Sequence, residues 1–185
     1  RASRKEEDND QSLVEPHSGL RVRNRVLSGN DMFLRLKGRR LFKLADLPAA
    51  PRKVLEGSDL MDAWATLGVL TGRSEKRHAS NGNPYASWRL SDLSGRESGV
   101  TLLVFRDALA AHSRVTEGTL LLLAGVGALP ARSDGNGGGY FGGKGGAATT
   151  EKPSVCLKAD QPWQLSSVGP CIDFGLCEGL RRDGR

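Results

Sequence analysis

The chain has 185 residues, 38% of them apolar, enough for one modest core with extensions, and it carries 27 Lys and Arg against 21 Asp and Glu for a net charge of +6 and a pI near 9.5. That balance favours polyanionic partners, nucleic acid or an acidic surface. No apolar run reaches the roughly eighteen residues of a membrane span, the N-terminus is charged rather than signal-like, and Cys156, Cys171 and Cys177 are odd in number and crowded near one end; a spanning helix and a secreted disulfide framework are excluded, and a soluble intracellular protein without a membrane partner is expected.

Residues 1–15 mix both charges without apolar periodicity and read as a disordered lead. From Pro16 to Gly57 ten Lys or Arg stand against Asp31, Asp46 and Glu56, a local balance of +7 that exceeds the charge of the whole chain. This is a basic N-terminal arm, residues 16–57. Within it a short helix over Asp31–Lys37, capped by Ser28 or Asn30 and stopped by Gly38, precedes an extended Arg39–Leu44.

Five strand-like runs follow. Trp64–Thr71 is apolar and β-branched around a central glycine, and Tyr85–Leu90 alternates strictly, putting Ala86, Trp88 and Leu90 on an inner face and Tyr85, Ser87 and Arg89 on an outer one. Val100–Arg106 and Thr119–Val126 are nearly continuous apolar runs, as buried strands are, with an Ala-rich helical segment, Asp107–Ser113, between them. Lys152–Ala159 is the fifth, with a continuation through Trp163–Val168 after a break at Pro162. Trp64, Trp88 and Phe105 lie inside apolar runs and are assigned to the core. The order β-β-β-α-β-β, with the longest loops after the first and fourth strands, is that of a five-stranded OB-fold barrel with a short helix between strands three and four, here over residues 58–169, in an all-β chain.

The two long loops flank the groove in which such a fold takes oligonucleotides. The first, Gly72–Asn83, carries Arg73, Lys76, Arg77 and His78; flexible cations at a groove rim neutralise phosphates and release counterions, giving affinity without sequence readout. Tyr85 and Arg89 on the outer face of strand two offer a ring and a guanidinium for stacking on unpaired bases. The plainer alternative is that Tyr85 only covers the sheet edge and the loop is a solvated charge run. The second loop contains a glycine-rich insertion, 132–148, with Tyr140, Phe141 and Lys144. Its Gly138–Lys144 spacing starts like a phosphate-binding loop, but Gly145 stands where Ser or Thr is needed and no apolar helix follows, so nucleotide hydrolysis is not indicated. His17, His78 and His112 are isolated from acids and nucleophiles at telling spacings, and Asp59 and Asp62 before strand one read as caps. No catalytic machinery is visible.

Particular stretches, SGLRVRN (18–24), GRRLFKLADLP (38–48), Gly68–Val69, NGNPYASWRLSDL (81–93) and DFGLCEGLRRDG (173–184), resemble in order and spacing the internal domain of the minichromosome maintenance protein ten family, eukaryotic replication-initiation factors. The resemblance implies a nuclear, non-enzymatic DNA replication factor with an OB-fold and a Cys-Cys-Cys-His zinc finger. It implies binding of single-stranded and duplex DNA, recruitment of DNA polymerase alpha to the fork, and contact with the replicative helicase and sliding clamp. It carries Arg73 and Tyr85 over as groove contacts, while Lys76 and Arg77 rest on charge and place. Residues 170–185 then start the finger: Cys177 matches its first zinc ligand and Arg181 and Arg182 its DNA-contacting basic stretch. The second ligand falls at a position beyond Arg185, so zinc belongs to the full-length protein and is not expected in this chain. Cys156 and Cys171 do not match the ligand positions and read as packed thiols. Alternatives are an OB-fold module for RNA and a protein-docking module without a replication role.

Overall fold

A computed structural model describes residues 13–50, 64–94, 99–129 and 155–175. The N-terminal part comprises β1 (Leu13–Val14), β2 (Arg21–Val22), α1 (Gly29–Leu36), β3 (Arg40–Lys43) and a 3-10 turn (Leu44–Ala49). The rest comprises β4 (Trp64–Arg73), β5 (Arg77–His78), β6 (Pro84–Ser91), β7 (Val100–Phe105), α2 (Arg106–Ala111), β8 (Thr119–Ala124), β9 (Gly127–Leu129), β10 (Cys156–Ala159), a 3-10 turn (Pro162–Gln164) and β11 (Leu165–Pro170). The main sheet runs β11-β8-β4-β6-β7-β10-β9, with β3 on β4 and β5 on β6. The pairs are antiparallel except β10 on β7 and β3 on β4.

Burial explains why some strands alternate and others do not. β6 turns Ala86, Trp88 and Leu90 into the inner core, and β7 adds Val100, Leu102 and Val104. β4 and β8 are buried on both faces. Trp64, Leu70, Leu121 and Leu123 enter that inner core, while Ala65, Leu67, Val69, Leu120, Leu122 and Ala124 pack outward into a second cluster. Each of these buried leucines is worth about 1.5–3 kcal/mol over leaving it in water, so an outer face this apolar needs a cover.

The N-terminal segment is that cover. Val22, Leu27 and Met32 complete the outer cluster with Val168 and Cys171. The chain is tied to β11 by Arg23 N–H to Pro170 O at 2.9 Å and Val26 N–H to Val168 O at 2.8 Å. Ser28 caps α1, its hydroxyl accepting from Asp31 N at 3.1 Å, and Gly38 takes φ +76° just after the helix. β3 then runs beside the start of β4 on the edge that β6 occupies further along, sending Leu41 toward the outer cluster and Phe42 toward the inner one.

The basic arm is therefore folded over 13–50 rather than loosely appended, and Leu13 to Glu15, expected within a disordered lead, belong to it. Glu15 is buried and receives the amides of His17 and Ser18 and the His17 ring. The fifth expected strand divides in two: β10 pairs with β7 and β9, whereas β11 pairs with β8. The helix begins one residue early, at Arg106. The lead before Leu13, the arm over 51–57, Asp59, Asp62, the glycine-rich insertion and the proposed finger start from Leu176 onward lie outside the described residues.

Candidate nucleic-acid interface

Because alternate residues of a strand face opposite ways, the residues of β6, β7 and β10 that skip the inner core share an outer face. The register puts Tyr85 opposite Phe105, Ser87 opposite Leu103 and Arg89 opposite Thr101, with Lys158 opposite Leu103 on the other side and Arg77 of β5 opposite Tyr85. The Tyr85 and Phe105 rings stack with centroids 5.5 Å apart and planes 25° from parallel. Lys158 Nζ stands 5.7 Å from the Phe105 centroid and is steadied by Asp160 at 2.8 Å. Both rings are half-buried, Arg77 and Arg89 are exposed, and Arg89 packs its stem near Gly99. From Tyr85 to Arg89 the face extends roughly 13 Å at about 3.3 Å per residue, a length of two or three nucleotides.

Phe105 is a correction: assigned to the core from its apolar run, it stands half-exposed on this face. The signal was parity, since Val100, Leu102 and Val104 point inward and leave Thr101, Leu103 and Phe105 outside. Lys158 was likewise missed, in a strand whose neighbours Leu157 and Ala159 enter the inner core.

Arg73 is also placed differently from expectation. It ends β4 instead of lying in the loop, and its guanidinium donates to the carbonyls of Ser113, at 3.1 Å, and Val115 while lying 5.3 Å over the Trp88 ring. Its amide donates to Glu117 Oε1 at 3.0 Å. These contacts tie β4 to the segment between α2 and β8, a positioning role. Lys76, Arg77 and His78 are exposed beyond it, in the loop and in β5. The face thus gathers Arg77, Tyr85, Arg89, Phe105 and Lys158, with Lys76 nearby in sequence and Arg73 holding the base of the loop. Lys144, Tyr140, Phe141, Arg181, Arg182 and Cys177 lie outside the described residues.

Of the remaining histidines, His17 bonds Glu15 at 2.8 Å and the His112 ring meets the Pro162 carbonyl at 2.8 Å. Cys156 and Cys171 are both buried and free, and burial pushes the Cys171 thiol up. Among the described residues no three of His, Cys, Asp and Glu gather as metal ligands, so these residues do not fit a zinc ion.

Known proteins resemble this chain over most of its length. The family model described as MCM10 OB-fold matches residues 16–136. Protein MCM10 homolog of Danio rerio is 26% identical over 177 residues, covering 95% of this chain and 19% of the relative. The Homo sapiens homolog is 26% identical over 172 residues, covering 92% and 17%, and the Drosophila melanogaster homolog 24% over 172 residues, covering 93% and 20%. The chain spans about a fifth of the length of these curated relatives. A solution NMR structure of an OB domain from Thermoplasma acidophilum aligns with 76% of this chain and 98% of its own at a TM-score of 0.40 and 8% identity. With a family match running from the arm through β9, well over half its length, the chain belongs to the MCM10 OB-fold family.

Proposed function

We propose that this chain binds single-stranded DNA along the outer face of β6, β7 and β10, as part of a non-catalytic nuclear replication factor that also meets duplex DNA and helps recruit DNA polymerase alpha. The supporting observation is the stacked Tyr85–Phe105 pair between Arg77 and Lys158. Ring faces accept any unpaired base, at about 1–3 kcal/mol each, and surrounding cations track the phosphates. In a duplex the bases are stacked already, so such a face favours open strands. The replication role rests on the family relation. In this reading β8 and β9 are halves of one strand, bent at Gly125, that joins β4 to β10 and closes a barrel whose outer wall is the groove.

Fluorescence anisotropy with labelled oligo(dT), an oligo(rU) of equal length and a duplex tests it. We expect tightest binding to oligo(dT), weakening steeply with salt. Affinity unchanged between low and physiological salt removes the electrostatic basis, and equal or tighter binding of oligo(rU) makes the chain an RNA module instead.

A further inference from the structure

Among the described residues, the large apolar side chains left exposed are Leu13 (54%), Val14 (60%), Val26 (74%), Phe33 (62%), Leu34 (56%) and Trp163 (48%). All but Trp163 belong to the N-terminal cover, and the Trp163 carbonyl accepts from Arg35 of α1 at 3.2 Å. Among the described residues the β-sheet domain exposes Trp163 alone of its large apolar side chains, while the layer that seals it carries a second apolar surface outward. On α1 Met32 alone is fully buried, and Phe33 and Leu34 gain nothing for the fold where they stand. Beside them opens a cavity of about 170 Å³ lined by Pro16, His17, Arg25, Met32, Phe33 and Leu36. It has room for one large apolar side chain.

The charges nearby select the occupant. Between residues 13 and 37 the cations are Arg21, Arg23, Arg25, Arg35 and Lys37, and the acids are Glu15 and Asp31. Both acids are engaged internally: Glu15 holds the amides of its own turn, and Asp31 takes the Ser28 hydroxyl at 2.6 Å. Arg21 is paired with Asp173 at 2.7 Å, while Arg25 borders the cavity, its Nε donating to the Leu27 carbonyl at 2.6 Å and so fixing the guanidinium at the rim. We infer that the cavity between the 15–19 turn and α1 is a docking site for an acidic protein segment that inserts one apolar side chain against Phe33 and sets carboxylates beside Arg25. Nucleic acid suits this surface less well, because four of its six exposed apolar side chains, Leu13, Val14, Val26 and Leu34, have no ring on which a base stacks. A lipid surface would use the cations and the apolar side chains but not a concave cavity of one side chain's size. The site lies on the layer covering β4, β8 and β11, apart from the face proposed for DNA.

The test pans phage-displayed random dodecapeptides on the immobilised chain with oligo(dT) saturating. Enriched peptides should carry Leu, Ile, Met or Phe flanked closely by Asp or Glu. The leading peptide, made synthetically and labelled, should bind about tenfold more weakly to Phe33→Ser and about threefold more weakly to Arg25→Gln. Both variants should keep the parent oligo(dT) affinity, since neither residue belongs to the DNA face. Phe33→Ser should also keep the parent Tm because Phe33 is exposed, while Arg25→Gln gives up a bond to the Leu27 carbonyl and is compared at a temperature where it remains folded. No enrichment, enrichment without acidic residues, or equal capture by Phe33→Ser overturns the proposal. So does a Phe33-dependent dimer in sedimentation, which makes the occupant a second copy, or Phe33-dependent binding to phosphatidylserine vesicles, which makes it a membrane.

Discussion

Tyr85 and Phe105 face each other across the β6–β7 pair, 5.5 Å apart and 25° from parallel, on the side of the sheet away from the inner core. An aromatic pair in this geometry contributes about 0.5–1.5 kcal/mol beyond its buried area, so the two rings hold each other flat and in place. A base that stacks on one ring meets a surface already ordered, with Lys158 on the far side of Phe105.

Tyr85→Ala and Phe105→Ala should each lower affinity for oligo(dT) by about 1–3 kcal/mol, and the double variant should lose less than the sum because each ring orders the other. Tyr85→Phe should bind nearly as the parent does, since stacking needs the ring and not the hydroxyl. Anisotropy titrations of the four proteins, with Tm as a control, decide it. Strictly additive losses mean that the rings act separately, and a parent-like affinity for Phe105→Ala removes it from the face.

Cations in this region should divide by task. Lys76→Ala and Arg77→Ala should leave Tm within a degree or two, weaken all single-stranded sequences alike and each lower the slope of log affinity against log salt by about 0.7. Arg73→Ala should instead lower stability by about 1–3 kcal/mol, because it removes the donors to Ser113 and Val115 and uncovers Trp88. Salt-dependent anisotropy paired with urea denaturation separates the two outcomes, and an unchanged urea midpoint for Arg73→Ala contradicts the positioning role.

How far the sequence disclosed this arrangement depended on which faces were buried. β6 was legible because only one of its faces meets a core, so its alternation named Tyr85 and Arg89 directly. β7 was harder: Leu103 is buried on the outer face too, which erased the alternation and drew Phe105 into an apparently continuous apolar run. The folded state of the basic arm was masked by its charge. Its buried apolar residues, Val22, Leu27 and Met32, stand five apart, which fits neither the strand nor the helix period, yet they match an outer cluster whose other half comes from β4 and β8 far along the chain. Nothing in Arg73 itself distinguishes a loop cation from a clamp, because its partners are backbone carbonyls some forty residues away.

The Glu15 turn gives stability a pH dependence. Burial pushes its carboxyl up, but bonds from the His17 ring, the Ser18 hydroxyl and the His17 and Ser18 amides outweigh it and hold the group below the ordinary carboxylate value. A carboxylate lowered in the folded state stabilises above its unfolded pKa, and that contribution is lost as pH falls through the folded one. Glu15→Ala should therefore cost about 1–3 kcal/mol at neutral pH, and the gap to the parent should narrow in acid. Urea denaturation at neutral pH and near pH 4 checks this; a gap that widens in acid means the turn is held by something else.

Gly169 is where the cover meets the sheet most tightly. A methyl group placed there lands 2.6 Å from Val22 Cγ1 and 3.0 Å from the Arg23 carbonyl oxygen. The first contact is with a side chain buried in the outer cluster and the second with backbone that itself bonds Pro170, so neither yields without moving β2 off β11. Overpacking of this kind costs about 1–3 kcal/mol. Gly169→Ala should lower stability by that amount and expose residues 20–36 to proteolysis and amide exchange before β4 to β7. Gly72→Ala serves as the control, since its added methyl comes no closer than 3.8 Å to the Arg89 stem. If the cover only protects the outer cluster, Gly169→Ala should keep its oligo(dT) affinity below its melting range, because β6, β7 and β5, which carry Tyr85, Phe105 and Arg77, contribute no buried residue to that cluster. Loss of DNA binding with the sheet still folded means that the basic cover itself contacts the strand, and the DNA site must then be enlarged to include it.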